Sequence, residues 1–237
     1  MKYKVSLLLT WIFMVQSPAA FGDWDWKLTP YLWAAGIDAD ITAGDTSVSM
    51  SMDFEDIVNV LQGGILLRLE GTSDSNGVFA DLVFLALEEE EAKDTLGGSL
   101  EADVDSLIVE AGYRRTIRDG LAFDIGVRYW EFDTKLTPAV LSPVRSSSDW
   151  LDGFVGARFA NSLGENWRWV LRGNVGAGGS NLALGMDLDL RRELANGNSL
   201  TFGFRALDID YSDTSGAVPL DLEAGFMGLT IGYTFDL

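Results

Sequence analysis

Apolar and polar residues alternate with a period of two along most of the chain. In LAFDIGVRYWEFD, which begins at Leu121, every second residue up to Tyr129 is apolar, whereas Asp124 and Arg128 fall between the apolar positions. This period is that of a β-strand whose two faces meet different surroundings. It predicts ten strands, at residues 26–39, 61–72, 78–90, 100–117, 121–134, 149–161, 167–179, 181–193, 199–212 and 222–236.

The connections between these strands alternate in length. Short joins rich in Gly, Asn, Asp and Ser alternate with longer polar joins at 40–60, 91–99, 137–148 and 213–221, apart from one further short join near 178–180. Tight periplasmic turns and longer extracellular loops alternate in this way in outer-membrane barrels. We therefore predict an all-β fold, a closed antiparallel transmembrane up-and-down β-barrel of about ten strands, with eight strands as the alternative.

Two local features stand out within this pattern. In MDFEDIVNVLQ, residues 52–62, the residues Phe54, Ile57, Val58 and Leu61 repeat at helical spacing. They predict a short amphipathic helix at the barrel mouth, and an extension of the second strand is the alternative. In the first strand, Pro30 and a shifting alternation predict a bulge.

The alternation alone does not say which face is the interior, because a soluble barrel or sandwich turns its apolar face inward. Glycine, which relieves crowding inside a small barrel, recurs on the polar face at Gly112, Gly126, Gly156, Gly203, Gly228 and Gly232. Tryptophans near strand ends predict interface girdles, formed by Trp24, Trp26, Trp130, Trp150, Trp167 and Trp169. Both features favour a membrane barrel whose polar face lines the lumen.

Charged residues of both signs occupy the predicted inner face in nearly equal numbers. Arginine binds carboxylates bidentately, and a barrel of this size has an interior that side chains can nearly fill. We therefore predict a salt-bridged lumen, with a conducting pore as the alternative. The predicted lumen residues are Arg68, Glu70, Asp81, Glu110, Arg114, Asp124, Arg128, Asp152, Arg158, Arg168, Arg172, Asp187, Asp189, Arg191 and Arg205.

The N-terminal residues have the layout of a secretory signal peptide. Lys2 and Lys4 precede an apolar run at residues 5–15, and small residues follow at Ala20 and Gly22. We predict a signal peptide at 1–22, cleaved after Gly22 with Ala20 as the alternative, and a single barrel domain at 23–237. Such a leader implies export to the periplasm.

Composition removes several classes of function. The chain has a formal net charge of −19, no histidine and no cysteine. The negative charge argues against nucleic acid as a partner. The absence of histidine removes Ser-His and Cys-His nucleophilic systems and histidine-based metal sites, so we expect no enzyme and no cofactor. A lipid-modifying enzyme of the outer membrane is the least favoured alternative.

Surplus carboxylates gather where strands meet the predicted extracellular loops. The candidate rim consists of Glu88, Glu89, Glu90, Glu91, Asp94, Asp208 and Asp210. It could hold divalent cations weakly and bridge to lipopolysaccharide, but a charge run is more often a solvated face. No loop has the spaced pattern of a dedicated calcium site.

Seven stretches together resemble a widespread group of bacterial outer-membrane β-barrel proteins. They are TPYLWAAGIDADI (29–41), FEDIVNVL (54–61), GVRYWEFDTKLT (126–137), DWLDGFVGARF (149–159), WRWVLRGNVGAGG (167–179), FGFRALDIDY (202–211) and GFMGLTIGYTF (225–235). The resemblance implies a barrel in the outer membrane, in contact with lipid and lipopolysaccharide, and it brings no catalytic residues.

In such barrels the assembly machinery reads the last strand, which here presents Tyr233, Phe235 and Leu237. The chain departs from the family by ending on leucine where an aromatic residue is usual. We expect a non-enzymatic outer-membrane protein with a structural or surface-interaction role. A porin-like channel or carrier for small solutes is the alternative.

Overall fold

The computed structural model describes residues 24–43, 46–93, 99–138, 144–213 and 220–237, and the predicted signal peptide lies outside them. Eleven strands and one helix, α1 (Phe54–Val60), make up nearly all of this part. The strands are β1 (Asp25–Ala43), β2 (Thr46–Met52), β3 (Leu61–Ser73), β4 (Asn76–Lys93), β5 (Ser99–Arg118), β6 (Leu121–Pro138), β7 (Val144–Ser162), β8 (Trp167–Gly178), β9 (Leu182–Glu193), β10 (Ser199–Asp213) and β11 (Leu220–Asp236).

Each strand is antiparallel to its neighbours, and the last strand closes the sheet against the first. From β3 to β11 the strands pair in chain order, and β11 pairs with β1 from Lys27 opposite Asp236 to Ala43 opposite Leu220. The result is a closed up-and-down barrel of ten strands with one extra strand. The predicted fold class is therefore confirmed, with ten strands and not eight.

The extra strand, β2, lies in the segment 40–60 that was predicted to be a loop. It pairs with the end of β1 through residues 37–43. Its sequence, TSVSMSM, is short and rich in serine, so its alternation carries little hydrophobic contrast. At the same end of the barrel, β4 ends three residues later than predicted, β6 ends four residues later, and β7 begins five residues earlier.

The short joins lie at one end of the barrel, here called the turn end; the opposite end is called the loop end. At the turn end, Asp74 has φ 49° and Gly120 has φ 76°, the left-handed conformations that tight turns require. The predicted short join after β8 is also present, but it lies at the loop end. It is closed by the backbone N–H of Gly178, which donates to the carbonyl of Ser180 at 3.1 Å.

The apolar face of the strands points outward and the polar face lines the lumen. Phe123 is 54% exposed, Ile125 58% and Leu229 67%, whereas Asp124 between the first two is buried. Inner glycines leave room for larger neighbours: a Cβ on Gly203 would lie 2.5 Å from Oδ1 of Asp189. The predicted orientation of the faces is therefore the observed one.

Two finer predictions are wrong. The pairing of β1 continues through Pro30 in one register, so β1 has no bulge there. Trp130 and Trp150 face the lumen and are buried, at 0% and 6% exposure, so they belong to no girdle. Trp167 and Trp169 do lie on the outer face at the turn end, since they alternate with buried Val170. At the same end, Trp24 stacks on Trp26 with ring centroids 6.0 Å apart.

The helix predicted between residues 52 and 62 is present as α1. Asp53 caps it by accepting hydrogen bonds from the backbone N–H groups of Glu55 and Asp56, and the carboxylate of Asp56 accepts in return from the Asp53 N–H. Ile57 is its buried residue, while Phe54 and Val58 are exposed. The predicted apolar stripe is therefore only partly buried.

Candidate functional site

The lumen contains two layers with different chemistry. Nearer the turn end, arginines and carboxylates form an ion-pair network, and nearer the loop end, aromatic and aliphatic side chains form an apolar cluster. The strands position both layers simply by alternation, because every second residue points inward. Arg128 and Trp130 on β6 illustrate the change from one layer to the other within three residues.

The ion-pair network contains a closed ring that crosses the lumen between β3, β5, β6, β8 and β9. Its ion pairs have N–O distances between 2.8 and 3.6 Å. In order around the ring, the members are Arg68, Asp187, Arg172, Asp124, Arg114, Glu70, Arg191 and Asp189, which returns to Arg68. Opposite charges alternate along it, so each charge has partners on both sides.

Two branches attach the remaining members of the network. Asp81 binds Arg68 at 2.7 Å and Arg205 at 3.0 Å, and it also accepts a hydrogen bond from the hydroxyl of Tyr31 at 2.7 Å. Glu110 binds Arg128 at 2.6 Å, and Arg172 of the ring at 2.7 Å. Ring and branches together hold equal numbers of arginines and carboxylates, so the network is electrically neutral.

Some of these pairs are direct neighbours on adjacent strands. Arg68 lies opposite Asp81, Arg114 lies opposite Asp124, and Arg205 lies opposite Asp187. Other pairs bridge the lumen between distant strands, such as Glu70 on β3 with Arg191 on β9. A side chain of this length can bridge only a narrow barrel, which makes the network both a filling and a cross-link.

Three predicted lumen residues stand outside the ion pairs recorded for the described residues. Asp152 is fully buried and accepts hydrogen bonds from the indole N–H of Trp130 at 2.9 Å and the backbone N–H of Ser180 at 2.8 Å. Arg158 lines a cavity beside the ring. Arg168 is exposed at the turn end.

Sequence reasoning missed the aromatic residues that support the guanidinium groups. Arg172 and Arg114 lie over the ring of Phe79, at 4.7 and 4.9 Å from its centroid, and Arg128 lies 5.4 Å from that of Phe154. Such contacts stabilise a desolvated cation by about 2 kcal/mol. The period-two alternation could have identified these aromatic residues, because Phe79 lies two residues before Asp81 and therefore on the same inner face.

Two cavities beside the network measure how much space it leaves. Each has a volume of about 20 Å³; Arg68, Asp189 and Arg191 line both of them. A volume of this size holds about one water molecule. The lumen at this level is therefore too full for a hydrated ion to pass without rearrangement.

The apolar cluster occupies the lumen above the network. Trp150 stacks on Trp130 at 6.0 Å and on Tyr211 at 4.2 Å between ring centroids, and Phe132 lies 5.7 Å from Trp150. Ile209 is among the aliphatic residues buried with them. The position of Trp130 and Trp150 near strand ends predicts interface residues, and for that reason the sequence does not reveal this cluster.

The predicted acidic rim is only partly described. Asp94 lies outside the described residues, as do the side chains of Glu88, Glu89, Glu90 and Glu91. Asp210 accepts a hydrogen bond from the amide of Asn181 at 2.9 Å, and Asp208 is exposed. Among the residues that the structure describes, no group of three or more acidic side chains is arranged to hold a metal ion.

The last strand presents its predicted recognition residues outward. Tyr233 and Phe235 meet edge to face with ring centroids 4.9 Å apart. The backbone N–H of Leu237 donates to the carbonyl of Trp26 at 3.0 Å, which ties the C-terminus to the first strand. Among the described residues, no helix has the length and apolar character needed to cross a membrane.

Comparisons with known proteins find similar structures but no sequence relative. No protein-family model and no curated protein matches the chain. One similar structure is the attachment invasion locus protein Ail of Yersinia pestis, with 12% identity, a TM-score of 0.44 and coverage of 89% of this chain and 99% of that one. A Pseudomonas aeruginosa FadL homologue has 7% identity, a TM-score of 0.43 and coverage of 94% and 93%.

The Pseudomonas putida toluene transporter TodX has 8% identity, a TM-score of 0.42 and coverage of 93% of this chain and 92% of that one. At these identities and scores, the similarity concerns the fold alone.

Proposed function

We propose that the chain is an integral protein of the bacterial outer membrane, without catalytic activity, that has a structural or surface-interaction role. The observation that carries this proposal is the neutral ion-pair network that fills the lumen behind an apolar outer face. A protein built in this way presents its exterior to lipid and its loop end to the medium, and it holds its wall together from within.

The outer face supports the membrane location. Large apolar side chains such as Leu32, Leu151 and Leu229 are more than half exposed, and they continue around the barrel. Soluble monomers rarely expose contiguous apolar patches larger than several hundred Å². In lipid the same face is solvated, and pairing between neighbouring strands satisfies most of the strand hydrogen bonds.

The flanking features fit the same location. The predicted signal peptide at 1–22 would deliver the chain to the periplasm, and the assembly machinery would read Tyr233, Phe235 and Leu237 on the last strand. The tryptophans at the turn end would sit at the inner interface. The partly described rim, with Asp208 and Asp210, would face lipopolysaccharide and its divalent cations.

The filled lumen favours a structural role over a porin-like one. Moving an ion through the ring would require breaking several buried ion pairs at once. Removing one partner of such a pair costs about 3–5 kcal/mol. The wild-type barrel should therefore not conduct.

Fractionation followed by planar-bilayer recording tests the proposal. We expect the protein to leave the envelope only with detergent, to migrate on a gel faster unheated than boiled, and to give no discrete conductance. Recovery in osmotic shock fluid would refute the membrane location. Discrete channels in the wild type would refute the closed lumen.

A further inference from the structure

The barrel wall is interrupted between β1 and β3. β1 pairs with β3 only through residues 25–30 and with β2 only through residues 37–43. Within these fully described strands, no pair joins residues 31–36 of β1 to residues 61–66 of β3. At about 3.3 Å per residue the interruption is about 20 Å long. Among the described residues β2 pairs with β1 alone, so helix α1, and not a strand pair, bounds the interruption at the loop end.

Such an interruption is unfavourable in a membrane without a compensating partner. Backbone N–H and C=O groups are destabilising where they face hydrocarbon without a hydrogen-bond partner. The opposite edges of the two segments remain paired, residues 31–36 with β11 and most of residues 61–66 with β4. The unpaired groups therefore line one continuous space.

The margins of this space are apolar and partly empty. Gly63 and Gly64 carry no side chain: a Cβ on Gly63 would meet nothing within 4 Å on the outer face, whereas one on Gly64 would lie 2.9 Å from Cδ2 of Leu85. Leu32 is 69% exposed, Ile65 45% and Leu61 41%. Lipid-soluble molecules would meet no charged side chain among these residues.

Helix α1 forms the margin at the loop end. It joins the end of β2 to the start of β3 and contacts β1, β2 and β4. Only Ile57 is buried, while Phe54 is 46% exposed and Val58 is 49% exposed. Because one buried side chain anchors it, the helix resists displacement much less than a paired strand does.

The inner side of the space leads to the apolar cluster. Trp33 and Leu66 pack against that cluster, and they lie on the inner faces of β1 and β3. The indole N–H of Trp33 is buried and has no hydrogen-bond partner among the described residues. Tyr31, one step nearer the turn end, belongs to the ion-pair network, so the space has a charged floor.

We propose that this interruption, here called the lateral opening, passes small amphipathic molecules between the outer leaflet and the apolar cluster. The molecules would have an apolar body and one neutral hydrogen-bonding group. The apolar margins match the body, and the unpaired N–H of Trp33 matches the neutral group. Ions would not pass, because the margins offer them no charged partner. This inference rests on the proposed membrane location and does not require a conducting lumen.

A cross-link over the lateral opening tests the proposal. The chain has no cysteine, so Ala34→Cys with Gly63→Cys places thiols on its two margins for a short bis-maleimide. The matched control is Leu28→Cys with Leu69→Cys, which lie opposite each other where the same strands are paired. The probe is 4-bromophenol, a neutral heavy-atom quencher, dissolved in phosphatidylcholine vesicles. Trp33→Phe identifies the fluorescence that belongs to Trp33.

We expect saturable quenching of Trp33 in the wild type and in the cross-linked control, and its loss when the lateral opening is cross-linked. Equal quenching in both cross-linked proteins, or quenching that rises without saturation in all of them, would overturn the inference. Gly63→Phe adds an outward-facing ring beside the opening without a cross-link and should weaken quenching several-fold, while Gly153→Phe, which adds the same ring to the outer face of β7, should not.

The outcomes also separate this inference from the proposed function. Each variant is first tested for detergent extraction and heat-modifiable migration. A wild-type protein that is not in the membrane refutes the proposed function. If the protein is a folded membrane barrel and the cross-link over the lateral opening leaves the quenching of Trp33 unchanged, only the inference of a lateral opening is refuted.

Discussion

Trp130 donates its indole N–H to Oδ2 of Asp152 at 2.9 Å, and this hydrogen bond joins the two layers of the lumen. Asp152 lies directly opposite Arg128 on the neighbouring strand. Arg128 nevertheless turns to Glu110 on its other side, at 2.6 Å. The buried carboxylate of Asp152 is thus held by the neutral N–H groups of Trp130 and Ser180.

Replacing Asp152 with alanine should destabilise the barrel. The change leaves the buried N–H groups of Trp130 and Ser180 without acceptors, at about 1–3 kcal/mol for each. We expect a loss of about 2–5 kcal/mol in the free energy of unfolding, measured by urea titration in lipid vesicles. Asp152→Asn keeps an acceptor and should lose less. An alanine variant as stable as Asp208→Ala, an exposed control, would contradict this account.

Replacing Arg128 with leucine should impair folding and should not open a pore. Among the described residues it leaves the buried Glu110 with Arg172 as its one remaining ionic partner, and breaking a buried pair costs about 3–5 kcal/mol. The measurement is again urea unfolding, together with bilayer recording. Arg168→Leu is the matched control, because Arg168 is exposed and should tolerate the change within about 0.5 kcal/mol.

A double replacement separates pairing from packing at the same position. Changing Glu110 to leucine together with Arg128 removes both charges, so part of the lost stability should return. If Arg128→Leu folds normally and conducts, the filled-lumen interpretation is wrong and a gated lumen replaces it.

The sequence predicts which side chains face the lumen better than it predicts which of them form ion pairs with each other. Alternation alone puts Arg114 and Asp124 on the inner face, and adjacent strands make them neighbours. The pair Glu70 and Arg191 could not be predicted, because it depends on how far the strands are staggered around the barrel. Trp130 shares a face with Arg128 in the alternation of the strand, whereas its position near a strand end is typical of an interface residue.

The interruption between β1 and β3 could not be predicted from the sequence either. Predicting it would require knowing that β2 takes over the pairing of β1 from β3, and β2 itself has too little hydrophobic contrast to be recognised. The helix between them was recognisable because Phe54, Ile57 and Val58 have helical spacing. Its neighbours in the wall depend on tertiary pairing, which local pattern does not encode.

Replacing Arg68 with alanine should produce a conductance that the wild type lacks. Arg68 lines both water-sized cavities, so removing its side chain joins them. Its carboxylate partners Asp81, Asp187 and Asp189 would lose one positive charge, and carboxylates favour cations in a pore. We expect small cation-selective events in planar bilayers. Silence in Arg68→Ala, with heat-modifiable migration retained, would show that the remaining side chains still close the lumen.

Inner and outer glycines should respond in opposite ways to alanine. A Cβ on Gly126 would overlap the carbonyl oxygen of Ala111 and lie 2.5 Å from the Phe154 ring, whereas a Cβ on Gly153 would meet nothing within 4 Å. Overpacking costs about 1–3 kcal/mol, so Gly126→Ala should lower the free energy of unfolding by that amount. Gly153→Ala, on the outer face of β7, should leave it unchanged or raise it, because alanine orders a strand more cheaply than glycine. Equal effects at the two positions would mean that the lumen is less densely packed than the ion-pair network and the rings of Phe79 and Phe154 indicate.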